Sequence, residues 1–354
     1  MSFARKASLL VKDLGGLGIY YPGQAAVARL PRRALLKAAQ AGGDAVRLAS
    51  QAEAAKALEE LHLLVGDRPL PRDDAGILRD AYRQMMFNEL EVLRYSHLTP
   101  RTIDAVCDLE GQEHLEAARS RGKGAIVLIG HFGANQMIMP ALGHKGYPMS
   151  QLSAPPPVWA DILRDTRTTR LWELVLARRW ELEQRLPVQH INVFKFLRPA
   201  FECLQQNELL GLAFDGGGGK RWTQVQFLAR RCNLSVQPIQ LARKTGAAIL
   251  PTFVVREPGA LKHRIVVTPA LDYQKRKSRA DEMHVNMQAF VDVFADWVLR
   301  YPEHYMNFLL LRWKVRGTDV APFFEDYAPA ADQMSAEQAQ AHLMGSWKET
   351  EDKV

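Results

Sequence analysis

Two ionisable side chains stand at the predicted ends of buried strands, where catalytic groups often collect. The apolar run Ala125–Ile129 passes through Gly130 to His131, and the run Leu209–Phe214 passes directly into Asp215. Active groups gather where the chain leaves the carboxyl ends of strands in open α/β sheets, so His131 and Asp215 are expected to converge on one cleft. The alternative is a structural histidine at a strand end. Two ionisable groups at equivalent exits favour acid–base chemistry over that alternative.

The elements that must position these residues alternate along the chain. Apolar runs predict strands at Ala125–Ile129, Leu209–Phe214, Gln224–Leu228 and Ala247–Val255, with an edge strand at Arg264–Thr268. Helical periodicity is found around Gln136–Leu142, Pro199–Gln205, Pro238–Thr245, Ala280–Arg300 and Pro302–Trp313. This alternation predicts an α/β fold, with a mixed, mainly parallel sheet flanked by helices and an N-terminal helical portion.

Three segments are expected. Residues 1–100 form an N-terminal helical portion packed on the core, 101–321 the α/β domain, and 322–354 a loosely ordered polar tail. Within residues 1–50, two short amphipathic helices around a turn at Tyr21–Gln24 either pack on the main domain or lie on a membrane surface.

Composition narrows the classes of protein that fit. The 354 residues carry a formal net charge of +7 and a pI near 9.3, which favours acidic partners such as phosphates or anionic lipid surfaces. Three scattered cysteines, Cys107, Cys203 and Cys232, argue against disulfides and a zinc site and fit a reducing compartment. No run approaches the ~20 apolar residues that span a bilayer. No nucleic-acid-binding module is recognisable, so a nucleic-acid partner is not expected.

Several stretches together resemble a known family of enzymes. They are Leu109–Ala118 with Gly124–Gly133, the strand Leu210–Asp215, Phe227, Pro238–Pro251, and Tyr301–Tyr305 with Arg312–Lys314. These stretches resemble the late lipid A acyltransferases (the lauroyl/myristoyl transferases) of the lysophospholipid acyltransferase superfamily. The likeness covers roughly residues 80–316 and implies the superfamily's glycerol-phosphate-acyltransferase-like fold.

The resemblance implies a function and its partners. An acyl group would pass from a thioester of acyl carrier protein or coenzyme A to a hydroxyl or amine, with His131 as general base. The acceptor would be a lipid, a sugar or a secondary metabolite. The thioester is a co-substrate, and no cofactor or metal is implied. Such an enzyme is expected to be cytoplasmic, either free or peripheral on the inner face of the cell membrane.

In the family signature, four residues separate the histidine from an acidic residue. This chain has Gln136 at the acidic position. A glutamine amide can fix an imidazole tautomer but cannot stabilise imidazolium by charge. Three explanations stay open. Asp215 orients His131 instead, or the acceptor is easier to activate, such as an amine, or the chain binds acyl carrier protein or lipid without turnover.

Further residues are candidates for substrate binding. Arg164, Arg167 and Arg170 form a row at three-residue spacing, and Arg230 follows the strand of Phe227. An arginine guanidinium binds two phosphate oxygens at once. The alternative is that these arginines are ordinary solvent-exposed surface charges. Lys220 follows the glycines 216–219, which form either an anion-binding loop or a flexible one. Phe132 and neighbouring methionines either wall an acyl channel or belong to the core, and Asn135 lies beside them.

Overall fold

A seven-stranded sheet forms the centre of the fold, with helices on both faces. The computed structural model describes residues 10, 13–153, 155, 169–193, 197–216, 221–316 and 322–327. The sheet strands are β1 (Cys107–Glu110), β2 (Ala125–Ile129), β3 (Met149–Ser153), β4 (Gln189–Asn192), β5 (Leu209–Ala213), β8 (Ala248–Val255) and β9 (His263–Val267). A separate antiparallel hairpin is made of β6 (Trp222–Phe227) and β7 (Arg230–Ser235).

The strands lie in the order β1-β9-β8-β2-β5-β3-β4. Neighbours are parallel except for β8 and β9, which are antiparallel. β9 and β1 therefore run opposite to the other five strands. The predicted mixed, mainly parallel α/β fold is confirmed.

The central strands are buried on both faces because their apolar side chains alternate between two cores. In β2, Ile126 and Leu128 belong to one cluster, with Phe290 and Phe294 of a long helix. Ala125, Val127 and Ile129 belong to the cluster on the other face. Side chains alternate along a strand with a period of two, so a continuous apolar run is what a strand between two helical layers needs.

The helices of the described chain either precede β1 or alternate with the strands. They are α1 (Gln24–Arg29), α2 (Arg32–Ala49), α3 (Gln51–Val65), α4 (Asp74–Val92), α5 (Gln112–Ser120), α6 (Ile138–His144), α7 (Arg170–Glu183), α8 (Arg198–Gln205), α9 (Gln237–Thr245), α10 (Arg279–Arg300) and α11 (Met306–Lys314). Short 3₁₀ turns lie at Tyr95–His97, Ile103–Ala105, Asn135–Met137 and Pro302–His304. The two last turns flank the site described below.

The helices before β1 contribute to the same core as the sheet. Leu61 and Leu64 of α3 and Ile77 of α4 are fully buried within the cluster that contains β2 and α10. α2 packs along α4, and α3 packs on α11. Since these helices fill the main core, removing them would expose its apolar side chains. The predicted division at residues 100 and 321 stays a prediction.

Two expectations about local structure were wrong. β9 lies between β1 and β8, so it is an interior strand and not the predicted edge strand. No turn separates helices near Tyr21–Gln24, since a π-helical turn at Ile19–Gly23 continues directly into α1. Of the expected loose tail, the structure describes residues 322–327, in which Phe323, Phe324 and Tyr327 are buried, and the tail itself stays a prediction.

Candidate active site

The pairing of β2 with β5 brings the two predicted groups together. Ile129 pairs with Ala213 in parallel register, and the Phe214 N–H donates to the Ile129 carbonyl at 3.0 Å. His131 lies two residues after Ile129, and Asp215 lies two residues after Ala213, so both leave the sheet at the same point. The His131 Nδ1 lies 2.7 Å from the Asp215 Oδ1. Parallel register therefore builds a histidine–carboxylate pair from residues far apart in sequence.

Asp215 is fully buried and surrounded by hydrogen-bond donors. The His131 backbone N–H donates to Oδ2 at 2.9 Å, and the Tyr305 hydroxyl donates to the same oxygen at 3.2 Å. Burial and the negative charge of Asp215 raise the pKa of Tyr305, which keeps this hydroxyl protonated. An ionised carboxylate accepts only, so Nδ1 of His131 is assigned as the protonated ring nitrogen and Nε2 as the basic one.

Phe308 and a glycine turn hold the histidine ring and its backbone. The ring stacks on Phe308 of α11, with centroids 4.5 Å apart and planes within 3°. Gly133 adopts a φ of +59°, and an added Cβ would lie 1.9 Å from the Val254 carbonyl oxygen. Only glycine fits this turn without displacing β8. The His131 side chain is 29% exposed, so it is clamped on one side and open to a cavity on the other.

The cavity beside His131 has a volume of about 150 Å³. Its wall is formed by α4, the segment after β2 and the start of α11, and contains Gln84, Met85, Asn88, Glu89, Tyr95, His131, Gly133, Ala134, Asn135, Gln136, Met137, Glu303, His304, Asn307 and Phe308. Small-molecule pockets usually measure roughly 300–1,000 Å³. At about 150 Å³, this cavity is smaller than that range.

Gln136 lies in the cavity wall but bonds to an arginine. Its Oε1 accepts from the Arg179 Nη2 at 2.8 Å, while Arg179 also pairs with Glu89 at 2.6 Å and Glu183 at 3.2 Å. The carboxylate against His131 comes from Asp215 instead. Of the two residues considered for orienting His131, the structure brings only Asp215 to the ring nitrogen.

Phe132 and Asn135 flank His131 on different sides. Phe132 is buried in the core, where its ring packs edge-on against Phe253 and Phe294. It is not among the cavity-lining residues, and its expected role in substrate binding stays a prediction. Side chains alternate at the end of β2, which turns Phe132 inward as His131 turns outward. Asn135 is half-buried and does line the cavity.

Arg230 is held inside a structural cluster. Its guanidinium lies 2.8 Å from the Glu60 Oε2 and 2.6 Å from the Asp326 Oδ1. The same group stacks on Phe324 at 3.7 Å and lies 4.7 Å from the centroid of Tyr327. The predicted substrate contact is therefore not supported, because the guanidinium is occupied in joining β7 to α3 and residues 322–327.

Of the remaining predicted cations, the structure describes only Arg170. Arg170 is exposed in the first turn of α7 and is not a lining residue. Arg164, Arg167 and Lys220 lie outside the described residues.

The lining or supporting residues that were not predicted from the sequence include Asn88, Glu303, His304, Tyr305 and Phe308. Glu303, His304 and Tyr305 belong to the Tyr301–Tyr305 stretch that carried the resemblance, which was the available signal. Burial lowers the pKa of His304 to about 3, so its ring is neutral near pH 7. Burial raises the pKa of Glu303, partly offset by Arg72.

None of the three cysteines lines the cavity beside His131. Cys107, Cys203 and Cys232 are buried, and burial raises the thiol pKa to about 12 for Cys107 and about 11 for Cys203. Protonated thiols are poor nucleophiles. In the described ranges, no group of three or more His, Cys, Asp or Glu residues could hold a metal ion. None of the described helices is long and apolar enough to cross a membrane.

Comparison with known proteins places the chain in a family. The family described as bacterial lipid A biosynthesis acyltransferase matches residues 4–315. No curated protein matches. Among solved structures, the 1-acyl-sn-glycerophosphate (LPA) acyltransferase PlsC from Thermotoga maritima is 12% identical, with a TM-score of 0.31 over 64% of this chain and 86% of that one. That likeness is too low to support an argument. The family match covers most of the sequence, and the chain belongs to the bacterial lipid A biosynthesis acyltransferases.

Proposed function

We propose that the chain transfers an acyl group from an acyl carrier protein or coenzyme A thioester to a hydroxyl, with His131 as general base. The observation that carries this proposal is the 2.7 Å contact between the His131 Nδ1 and the buried Asp215 carboxylate. With Nδ1 donating to Asp215, Nε2 takes the proton of the acceptor, and the carboxylate stabilises the imidazolium that forms. Asp215 thus supplies the charge that Gln136 cannot.

The reaction proceeds by direct attack on the thioester. The acceptor oxygen bonds to the thioester carbon, its proton passes to His131, and the tetrahedral intermediate collapses with loss of the thiolate. His131 returns the proton to this thiolate, which departs as the thiol. The buried cysteines with raised pKa values support a mechanism without a covalent acyl-enzyme.

Exposed apolar side chains near the N-terminus support a peripheral contact with the inner face of the cell membrane. Leu14, Ile19 and Tyr21 are exposed, as is Leu174 of α7. The Tyr21 hydroxyl donates to the Leu174 carbonyl at 3.2 Å, and the Arg178 guanidinium lies over the Tyr21 ring, which joins these elements. Apolar side chains beside a cation suit an anionic lipid surface. Co-sedimentation with anionic and neutral vesicles tests this contact. Binding to neither kind of vesicle contradicts it.

Acyl transfer by the wild type and by His131→Ala tests the catalytic proposal. Purified protein is incubated with labelled acyl carrier protein or acyl coenzyme A and a hydroxyl acceptor, and the acylated product is quantified. Transfer should be lost in His131→Ala, while the variant keeps the wild-type circular dichroism spectrum. A wild type that binds the acyl carrier without turnover, with binding unaffected by His131→Ala, supports the non-catalytic alternative instead.

A further inference from the structure

Residues 322–327 lie beside β7 and bond to its backbone. The Asn233 N–H donates to the Phe323 carbonyl at 2.9 Å. In the other direction, the Glu325 N–H donates to the Arg231 carbonyl at 3.0 Å. The pairing is antiparallel, so the segment forms a short third strand of the hairpin, with its position set by backbone hydrogen bonds.

Tyr327 fastens the far end of this third strand. Its hydroxyl donates to the Glu60 Oε2 at 2.7 Å, and the Arg230 guanidinium lies 4.7 Å from its ring centroid. Among the described residues, its ring packs against Phe324, with centroids 5.3 Å apart, and not against a ring of α11. Tyr327 therefore anchors the segment without reaching the elements around His131.

Phe323 lies against the face of α11 that carries Phe308. It is 2% exposed, and its ring centroid is 6.3 Å from that of Phe308, with the planes 87° apart. The Arg312 guanidinium lies 4.7 Å from the Phe323 centroid. Phe308 and Arg312 are four positions apart, so they share one face of the helix. Phe323 thus packs across one turn of α11, in the perpendicular arrangement that aromatic rings favour.

The start of α11 holds both members of the reactive pair. Tyr305, which directly precedes the helix, donates to Asp215, and Phe308 stacks on the ring of His131. Protein interiors are packed as densely as organic crystals and transmit small displacements. Removing the Phe323 ring would leave a gap beside Phe308, and neighbouring groups relax partly into such gaps. A displaced Phe308 would no longer hold the imidazole.

We propose that Phe323 is a positioning residue for acyl transfer, which packs against Phe308 and thereby fixes the imidazole of His131 in line with Asp215. Phe323 is not among the residues that line the cavity, so it acts through another side chain and not on the substrate. It also lies beyond residue 315, where the family match ends. The inference rests on the proposed function, because it takes His131 as the base.

Phe323→Ala and Tyr327→Ala in the full chain form a matched pair of variants. Each removes a buried aromatic ring from the same strand, but only the ring of Phe323 contacts α11. Phe323→Ala should lower kcat about 10- to 100-fold, since a misplacement of about 1 Å can cost about 10²-fold. Its KM should stay within about twofold, because the residues that line the cavity are unchanged. Tyr327→Ala should keep kcat within about threefold of the wild type, although both variants should unfold at lower urea concentration.

Urea unfolding of the same preparations shows that the rates compare folded proteins. An equal loss of kcat in the two variants overturns the inference, because the effect would then come from the whole segment. A normal kcat in folded Phe323→Ala, or a raised KM with an unchanged kcat, overturns it as well.

Phe323→Leu and Tyr327→Leu provide the milder pair. Leucine refills much of the gap but lacks the ring, so Phe323→Leu should lose only about 3- to 10-fold in kcat, and Tyr327→Leu should lose none. This pair decides the question where Phe323→Ala does not fold, and equal kcat values in the two leucine variants contradict the positioning role. Failure of the proposed function is read separately, from transfer that persists in His131→Ala.

Discussion

Replacing Asp215 by asparagine should nearly abolish acyl transfer while leaving the chain folded. Three donors converge on this carboxylate, namely the His131 Nδ1, the His131 backbone N–H and the Tyr305 hydroxyl. An amide has one oxygen and one NH₂ group, so either orientation turns NH₂ toward a donor. With the NH₂ group toward Nδ1, the imidazole proton moves to Nε2, which can then no longer act as a base.

The magnitude follows from the tautomer and the lost charge. The same change in a serine-hydrolase triad lowers kcat about 10⁴-fold. We expect a loss of about 10³- to 10⁴-fold here, which corresponds to roughly 4–5.5 kcal/mol at about 1.36 kcal/mol per tenfold change in rate. Hydrogen bonds to a charged group contribute about 1.5–3 kcal/mol each, so the free energy of unfolding should also fall by about 2–4 kcal/mol.

Initial rates at saturating acceptor, with urea unfolding of the same preparations, measure both effects. Tyr305→Phe serves as the control because it removes one donor to Asp215 and keeps both bonds to His131. That variant should lose only about 3- to 10-fold in kcat, the cost of one hydrogen bond. A folded Asp215→Asn protein whose kcat lies within tenfold of the wild type would refute the assignment of Asp215 as the partner of His131.

Three further outcomes are expected. Gln136→Glu should leave kcat within about threefold, because Arg179 pairs with the new carboxylate, and a large gain in initial rate would show that Asp215 does not suffice. Arg230→Ala should lower the free energy of unfolding by about 3 kcal/mol, since Glu60 loses a buried partner. The KM of this variant should be unchanged. A raised KM in a stable variant argues that Arg230 binds substrate. In the folded chain the pKa of His304 is about 3, against an ordinary value of 6.5. As the pH drops below about 6.5, the unfolded chain therefore binds a proton at His304 before the folded chain does, and the free energy of unfolding falls. The loss between pH 6.5 and pH 3 should reach several kcal/mol, at about 1.36 kcal/mol per pKa unit. Unfolding of His304→Gln in urea across this range should depend less on pH, and an unaltered pH slope contradicts the reasoning.

The sequence predicted the elements whose own residues determine them. β2, β5 and β8 are nearly continuous apolar runs, so burial on both faces is visible in composition alone. β3 and β4 have the sequences Met-Ser-Gln-Leu-Ser and Gln-His-Ile-Asn, and they were missed because pairing with neighbours holds them extended despite polar residues.

The same distinction, between what a segment's own residues determine and what tertiary contacts determine, applies to the residues of the site. The convergence of His131 and Asp215 followed from two strand exits, since the position of an exit is a property of the strand itself. The stacking of Phe308 and the bond from Tyr305 depend on where α11 docks, which local patterns do not encode. The contact of Gln136 with Arg179 likewise joins two helical segments that are distant in sequence.

The register between β2 and β5 ties the reactive pair to the folding of the whole chain. His131 and Asp215 are 84 positions apart in sequence, so a loop of that length must close before they can meet. A slip of one residue in the pairing of Ile129 with Ala213 would turn one of them to the opposite face of the sheet. During refolding, regain of turnover should therefore follow long-range strand assembly and lag behind the faster recovery of helical signal.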